Sequence, residues 1–283
     1  MPVKRLFLWV CLAWLPSVHA ACPDEAAIQG YLSDFAKRQV SKGFGPDLSA
    51  ADAECAKAQI TAKLPLYLGK RIGYKAAFTS QAAQQQFGLD GPRWGSMFDR
   101  NMVDIIAVLP ANFGARPMLE ADMIVEVKDP ALADAKTPLE ALACLESMEP
   151  FIELPDLMLA DPLSGNNLVA INAAFRGGVT GADIPLPATP AMVDALANMT
   201  VVLTDLNSGQ ELGRTAGKSL MGHPLNAAIW LAQALKKEGI PLRKGDLLSL
   251  GSFFPARPVA SGMQVQVQYL GLPGNPSVSV TFN

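Results

Sequence analysis

The chain has 283 residues, 50% of them hydrophobic and 17% charged, with a formal net charge of -3. That balance describes an ordered, well-buried protein, excludes a disordered chain, and gives no electrostatic reason to expect nucleic acid or an anionic membrane as partner. Small molecules are the expected partners.

The first twenty residues read as a secretory signal peptide. Lys4 and Arg5 make a basic start, Leu6 to Leu15 form an apolar core, and Val18, His19 and Ala20 supply a small-residue cleavage pattern. The apolar run is too short to span a bilayer comfortably. Cleavage would leave a periplasmic or secreted protein of roughly 260 residues that no longer touches the membrane, long enough for one substantial core or two modest ones. Cys11 leaves with the signal, and Cys22, Cys55 and Cys144 remain. In an oxidising compartment Cys22 and Cys55 could pair and tie down the mature terminus, leaving Cys144 as a buried free thiol. The cysteine spacing fits no zinc pattern. His223 is the one histidine outside the signal, so Ser-His and Cys-His catalysis are nearly excluded unless it is the base.

In chain order, Asp24 opens a helix whose Ile28, Tyr31, Leu32 and Phe35 recur at helical spacing. A second helix starts at Ser49 and runs to about Leu64, before Pro65 disrupts the pattern. Arg71 to Ser80, RIGYKAAFTS, reads as a strand with Lys75 among apolar and aromatic neighbours. Two readings of Lys75 are open: a snorkelling strand lysine, or a desolvated or carboxylate-paired amine suited to acid/base work or to gripping an anionic substrate. A polar helix over 81–86 leads into GLDGPRWGSMFD, whose Gly88, Gly91, Pro92 and Gly95 read as a loop. Asp99 there is either a partner for Lys75 or a turn carboxylate.

The next stretch, LEADMIVEV, has the alternation of a strand, with Glu120, Asp122 and Glu126 on one face and Ala121, Met123, Val125 and Val127 on the other. Thr137, Pro138 and Glu140 cap a short helix that returns the chain to a second acidic strand, EPFIELPD, with Glu153 among bulky apolar residues. An exposed, solvated strand face is one reading of these acids. The other is that Glu120, Asp122 and Glu153 converge from neighbouring strands on a hard divalent cation, Mg²⁺ or Mn²⁺, since three shielded carboxylates would otherwise repel one another. Gly177, Gly178 and Gly181 read as backbone turning within a sheet protein. From Met199 onward strands dominate. They are interrupted by a helix that begins near His223 and Pro224, packs Leu225, Ala228, Ile229, Ala232 and Leu235 inward, and stops at Gly239. Val265, Val267 and Tyr269, then Val278, Val280 and Phe282, alternate with polar residues as half-buried antiparallel strands.

Taken in order, GYKAAFTS, GLDGPRWGSMFD, LEADMIVEV, EPFIELPD, GHPLNAAIWLAQALKKEGIPLRKGDLLSLGS and the closing strands resemble the 2-oxopent-4-enoate hydratase and 2-oxo-3-hexenedioate decarboxylase family of the fumarylacetoacetate hydrolase superfamily. The resemblance runs from about Arg71 to Phe282. It implies an α+β fold, a mixed, twisted β-roll flanked by helices, with a smaller helical amino-terminal region. The division expected is a signal peptide over 1–20, a helical or small α+β region over 21–110 and a metal-binding catalytic domain over 111–283. The resemblance implies metal ligation by Glu120, Asp122 and Glu153, where Asp122 stands for a usual glutamate, and proton handling by Lys75 oriented by Asp99. It implies that the metal chelates a small 2-oxo acid and stabilises its enolate, and that the protein is a homo-oligomer. Asn172 and Ser252 are polar candidates for holding the substrate. Ile171, Ala173, Ala174 and Phe175 replace acidic or small polar residues of the family pattern, which points to a more apolar substrate or to lost catalysis. Three functions follow from this reading: an exported metal-dependent hydratase or decarboxylase, a non-catalytic binding or accessory protein on the same fold, and an acylpyruvate-type C–C hydrolase.

Overall fold

A computed structural model describes residues 22–105 and 107–283. The expected signal peptide lies outside the described residues. The elements in order are α1 (Glu25–Lys37), α2 (Ala50–Lys63), α3 (Pro65–Leu68), β1 (Arg71–Ala77), α4 (Gln81–Phe87), β2 (Arg93–Phe98), β3 (Met102–Asp104), β4 (Ala107–Leu109), β5 (Met118–Val127), α5 (Pro138–Ala143), β6 (Leu145–Pro155), α6 (Gly165–Ala170), β7 (Phe175–Thr180), β8 (Ile184–Pro185), α7 (Pro190–Asn198), β9 (Thr200–Asp205), β10 (Glu211–Ala216), α8 (Pro224–Lys237), β11 (Leu247–Ser249), β12 (Arg257–Pro258), β13 (Gln264–Leu270) and β14 (Ser277–Phe282). A mixed sheet runs β2-β1-β11-β5-β6-β7-β3, with β12 beside β5 and β8 beside β6. A second sheet runs β10-β9-β13-β14-β4.

Local chemistry sets the helix starts. Asp24 accepts the Ala27 amide at 2.8 Å to cap α1, and Ser49 accepts that of Asp52 at 3.1 Å to cap α2. Ile28, Tyr31, Leu32 and Phe35 form the buried face of α1, as their spacing predicts. Thr137 caps α5, while Glu140 reaches back to the Lys136 amide at 2.7 Å. Two expectations are corrected. Residues 93–98 are a strand and not a loop, paired antiparallel to β1. Gly177 and Gly178 do not turn the chain but lie within β7, because the Phe151 ring occupies the place of any Gly178 side chain, 2.1 Å from an ideal Cβ.

The β5–β6 hairpin divides two cores. Leu119, Ala121, Met123, Val125 and Val127 face a core shared with the second sheet and with α8, where Leu225, Ala228, Leu231, Ala232 and Leu235 are buried. The opposite face packs Ile124 and Phe151 against α1, α2 and α6. Since β1 and β2 precede residue 110 and β5 follows it, the large sheet joins both sides of the expected division.

Arg176 of β7 ties α1 to this sheet. Its guanidinium lies 3.2 Å from Asp156, donates to the Phe35 carbonyl at 3.0 Å and stacks 4.0 Å from the Phe35 ring. Cys22 and Cys55 are disulfide-bonded across 33 residues, and Cys144 is free and half-buried rather than fully buried. Because the bond restricts the unfolded chain, the Cys22→Ser/Cys55→Ser variant is expected to lose about 3–4 kcal/mol of stability, measured by equilibrium denaturation.

Candidate active site

Lys75, Ser249, Asp122, Glu120 and Glu153 lie on four adjacent strands of the large sheet and share one of its faces. The pairing sets this arrangement. Glu120 stands directly opposite Glu153, Asp122 opposite Phe151, Lys75 opposite Ser249, and Ser249 opposite Ile124. Ile124, Phe151 and Leu247 are apolar neighbours on that face, and Glu126 and Glu149 stand further along it, so the five polar residues cluster at one end.

Glu153 is fully buried, and Lys75 is 3% exposed. The Lys75 ammonium donates to Glu153 Oε1 in a short contact and to the Ala173 carbonyl at 3.0 Å. Burial alone would weaken the ammonium's hold on its proton, but Glu153, Glu120 and Asp122 outweigh that, and its pKa rises. Burial also pushes Glu153 above the usual carboxylate range, against the pull of Lys75. Glu120 rises to about 8, through burial and then the repulsion of Glu153, and Asp122 to about 7 for the same two reasons. One ammonium facing three carboxylates leaves an excess of negative charge in a shielded place.

The oxygens differ in what they already hold. Glu153 Oε2 is buried with no hydrogen-bond partner, and Glu120 lines a cavity of about 490 Å³ together with Lys75. Both suit a hard divalent cation, which takes carboxylate oxygens. Asp122 does not present itself as a third arm. Its Oδ1 accepts the amides of Met123 at 2.6 Å, Leu250 at 3.2 Å and Gly251 at 3.0 Å, and its Oδ2 accepts the Ser249 hydroxyl at 2.5 Å. Among the described residues no group of three acidic, histidine or cysteine side chains is placed to hold an ion as a set. The donor chemistry therefore fits at Glu120 and Glu153, while Asp122 anchors the turn after β11.

Three other expected site residues sit differently. Asp99 does not orient Lys75; its Oδ1 accepts the Lys70 amide at 3.1 Å and fills the space beside Gly69, which has φ +81°. It is the turn carboxylate of the two alternatives. Asn172 is fully buried, with its amide spent on β2: Oδ1 accepts the Ser96 amide at 2.6 Å and Nδ2 donates to the Ser96 carbonyl at 2.8 Å. It is placed to hold the protein's own backbone and not a substrate. Ser252 does line the cavity, but its hydroxyl donates to the Phe254 carbonyl at 2.6 Å and so closes its own loop. His223 caps α8, with Nδ1 accepting the Leu225 amide at 3.0 Å and Nε2 lying 3.0 Å from the Val193 carbonyl. Burial lowers its pKa, both ring nitrogens are occupied, and it does not line the cavity. Ile171 and Phe175 pack in the core behind the site, leaving Ala173 and Ala174 at the cavity wall.

One element had no sequence signal. Asn172, Ala173 and Ala174 all have positive φ, at 61°, 50° and 60°, a conformation that is costly for residues with a side chain and that concentrates where surrounding structure enforces it. This left-handed turn aims the Ala173 carbonyl at Lys75. Only the asparagine, a residue that tolerates the conformation, hinted at it. Asn172→Ala leaves the two Ser96 backbone groups unpaired in the interior, so it is expected to lower stability by about 2–4 kcal/mol in chemical denaturation.

No protein-family model matches the chain. It is 30% identical over 235 residues to 2-keto-4-pentenoate hydratase 1 of Dechloromonas aromatica (strain RCB), a match spanning 81% of this chain and 86% of that protein. It is 28% identical over 228 residues to 4-oxalocrotonate decarboxylase of Pseudomonas sp. (strain CF600), spanning 80% and 84%. Among solved structures, 4-oxalocrotonate decarboxylase from Pseudomonas putida G7, complexed with magnesium and adipate, superposes with a TM-score of 0.77 at 25% identity, covering 91% of this chain and 95% of that one. These likenesses and the Lys75-bound Glu153 facing Glu120 on the curled sheet agree in one assignment: the chain belongs to the 2-oxopent-4-enoate hydratase and 2-oxo-3-hexenedioate decarboxylase family of the fumarylacetoacetate hydrolase superfamily.

Proposed function

We propose that this protein is an exported lyase that adds water to, or removes CO₂ from, a small 2-oxo acid, with a hard divalent cation, Mg²⁺ or Mn²⁺, held by Glu120 and Glu153. The observation that carries the proposal is the buried Lys75–Glu153 pair opposite Glu120 at the wall of the cavity, with Glu153 Oε2 left unpartnered. When bound there, the cation supplies Lewis-acid polarisation of the 2-oxo group. Lys75 presents the one cationic side chain among the described residues that line the cavity, so it attracts the substrate carboxylate or hands over a proton. Glu153 keeps that ammonium charged and in place, and the Ala173 carbonyl fixes its direction. The apolar walls exclude water, which strengthens each of these interactions.

Export is part of the proposal. The basic, apolar and small-residue start of the chain supports it, as does the Cys22–Cys55 bond, since disulfides persist in oxidising compartments. A homo-oligomer is proposed on the family resemblance. The engagement of both Asp122 oxygens favours the second reading, a binding protein without turnover. Incubation of the mature protein with Mg²⁺ and unsaturated 2-oxo acids separates the two. Loss of the conjugated absorbance, or release of CO₂, is the expected result. Retention of the acids with no conversion of any would favour the binding protein, and C–C cleavage products would instead mark hydrolysis.

A further inference from the structure

The cavity has a charged end and an uncharged remainder. Among the described residues that line it, the only charged side chains are Lys75 and Glu120. The rest of the wall is uncharged and mostly apolar: its large side chains include Phe78 and Phe87, which meet edge to face at 5.6 Å, Leu157, Leu168, Phe253 and Phe254. Its polar groups are the neutral Thr79, Ser80, Gln86, Ser219 and Ser252. The Lys75 ammonium is committed at one end to Glu153 and the Ala173 carbonyl. Among the described residues no arginine, second lysine or histidine lines the cavity. A volume of about 490 Å³ is also within the range of pockets that enclose drug-sized ligands, and so exceeds what the head of a 2-oxo acid fills.

A carboxylate placed at that far wall would lose its hydration and gain no counter-ion, whereas an alkyl or aryl group there would leave water for apolar contacts. We infer that the site selects 2-oxo monocarboxylic acids with an uncharged, apolar tail and discriminates against 2-oxo dicarboxylic acids. The inference rests on the reading of the Lys75 end as the place of the 2-oxo acid head. It adds to that reading which of the two acid classes is taken, a choice set by the six apolar side chains and by none of the groups around Lys75.

The test is calorimetric titration of the mature protein in excess Mg²⁺ with three probes: oxalate, which has only the head, 2-oxohexanoate, and 2-oxohexanedioate, which differs from it by a terminal carboxylate. Oxalate is expected to bind, and 2-oxohexanoate to bind at least tenfold more tightly than 2-oxohexanedioate. Equal or tighter binding of the diacid, or binding of oxalate but of neither longer acid, would overturn the tail preference and leave the head reading standing. Failure of all three would overturn the head reading and the preference with it. In a second arm, Phe87→Arg places a cation in the wall on α4, a helix with no fully buried residue. It is expected to tighten 2-oxohexanedioate about tenfold and weaken 2-oxohexanoate; an unchanged ratio in the folded variant counts against the proposal.

Discussion

Lys75→Met is expected to lower stability by about 3–5 kcal/mol and turnover by roughly 10²–10⁴-fold. The reason lies in what the substitution leaves behind. Glu153 is fully buried, with Lys75 on one oxygen and no partner on the other, so removing the ammonium strands a carboxylate that must take up a proton to remain inside. Glu153→Gln in the same background removes that charge. The double variant Lys75→Met/Glu153→Gln is therefore expected to recover most of the lost stability while remaining inactive. Denaturation of the four proteins of this cycle measures the coupling, and a turnover assay on the same samples separates the structural from the chemical role of Lys75. Activity retained in Lys75→Met would remove the lysine from the mechanism.

Glu120→Gln and Asp122→Asn are expected to differ sharply although the residues are two apart on one strand face. Asp122 accepts hydrogen bonds on both oxygens, from three amides and the Ser249 hydroxyl. An asparagine can supply only one acceptor oxygen, so Asp122→Asn is expected to cost about 2–4 kcal/mol. Glu120 contributes no such anchor. Its carboxyl holds its proton more tightly in the folded chain, so its contribution to stability is complete below about pH 4.5 and is lost as the pH rises through about 8. The uncharged glutamine has no such loss. In the absence of divalent cations Glu120→Gln is expected to match the wild type near pH 4 and to exceed it at pH 9, while thermal stabilisation by Mg²⁺ disappears. Thermal melts at the two pH values, with and without Mg²⁺, check both halves.

Much of this site was legible in the sequence because it rests on strand alternation, which is local. The period of two placed Glu120 and Asp122 on one face, and the helix caps at Asp24, Ser49 and Thr137 fixed where elements begin. The family resemblance supplied the curled-sheet architecture, and the structural neighbour shares it. What was not legible depends on which of several possible partners a polar group finds in three dimensions. Asp99 lies close in sequence to the Lys75 strand, yet the fold spends it on the Lys70 amide and gives Lys75 a partner 78 residues away. Asn172 has the chemistry of a substrate ligand, and its partner is instead the β2 backbone. The left-handed turn over 172–174 could not be read, because alanine ordinarily avoids that conformation and only the surrounding packing imposes it. Gly177 and Gly178 resembled turn residues since glycine has two uses, and here close packing of Phe151 is the one that applies to Gly178.

The central claim is that Glu120 and Glu153 hold a divalent cation beside Lys75 for a 2-oxo acid. Calorimetric titration of metal-stripped protein with Mg²⁺, with and without oxalate, tests it most directly when repeated on Glu153→Gln. Binding that tightens with oxalate and is lost in the variant is the predicted result. Absence of Mg²⁺ binding to the wild type, or binding unaltered by Glu153→Gln, would contradict it.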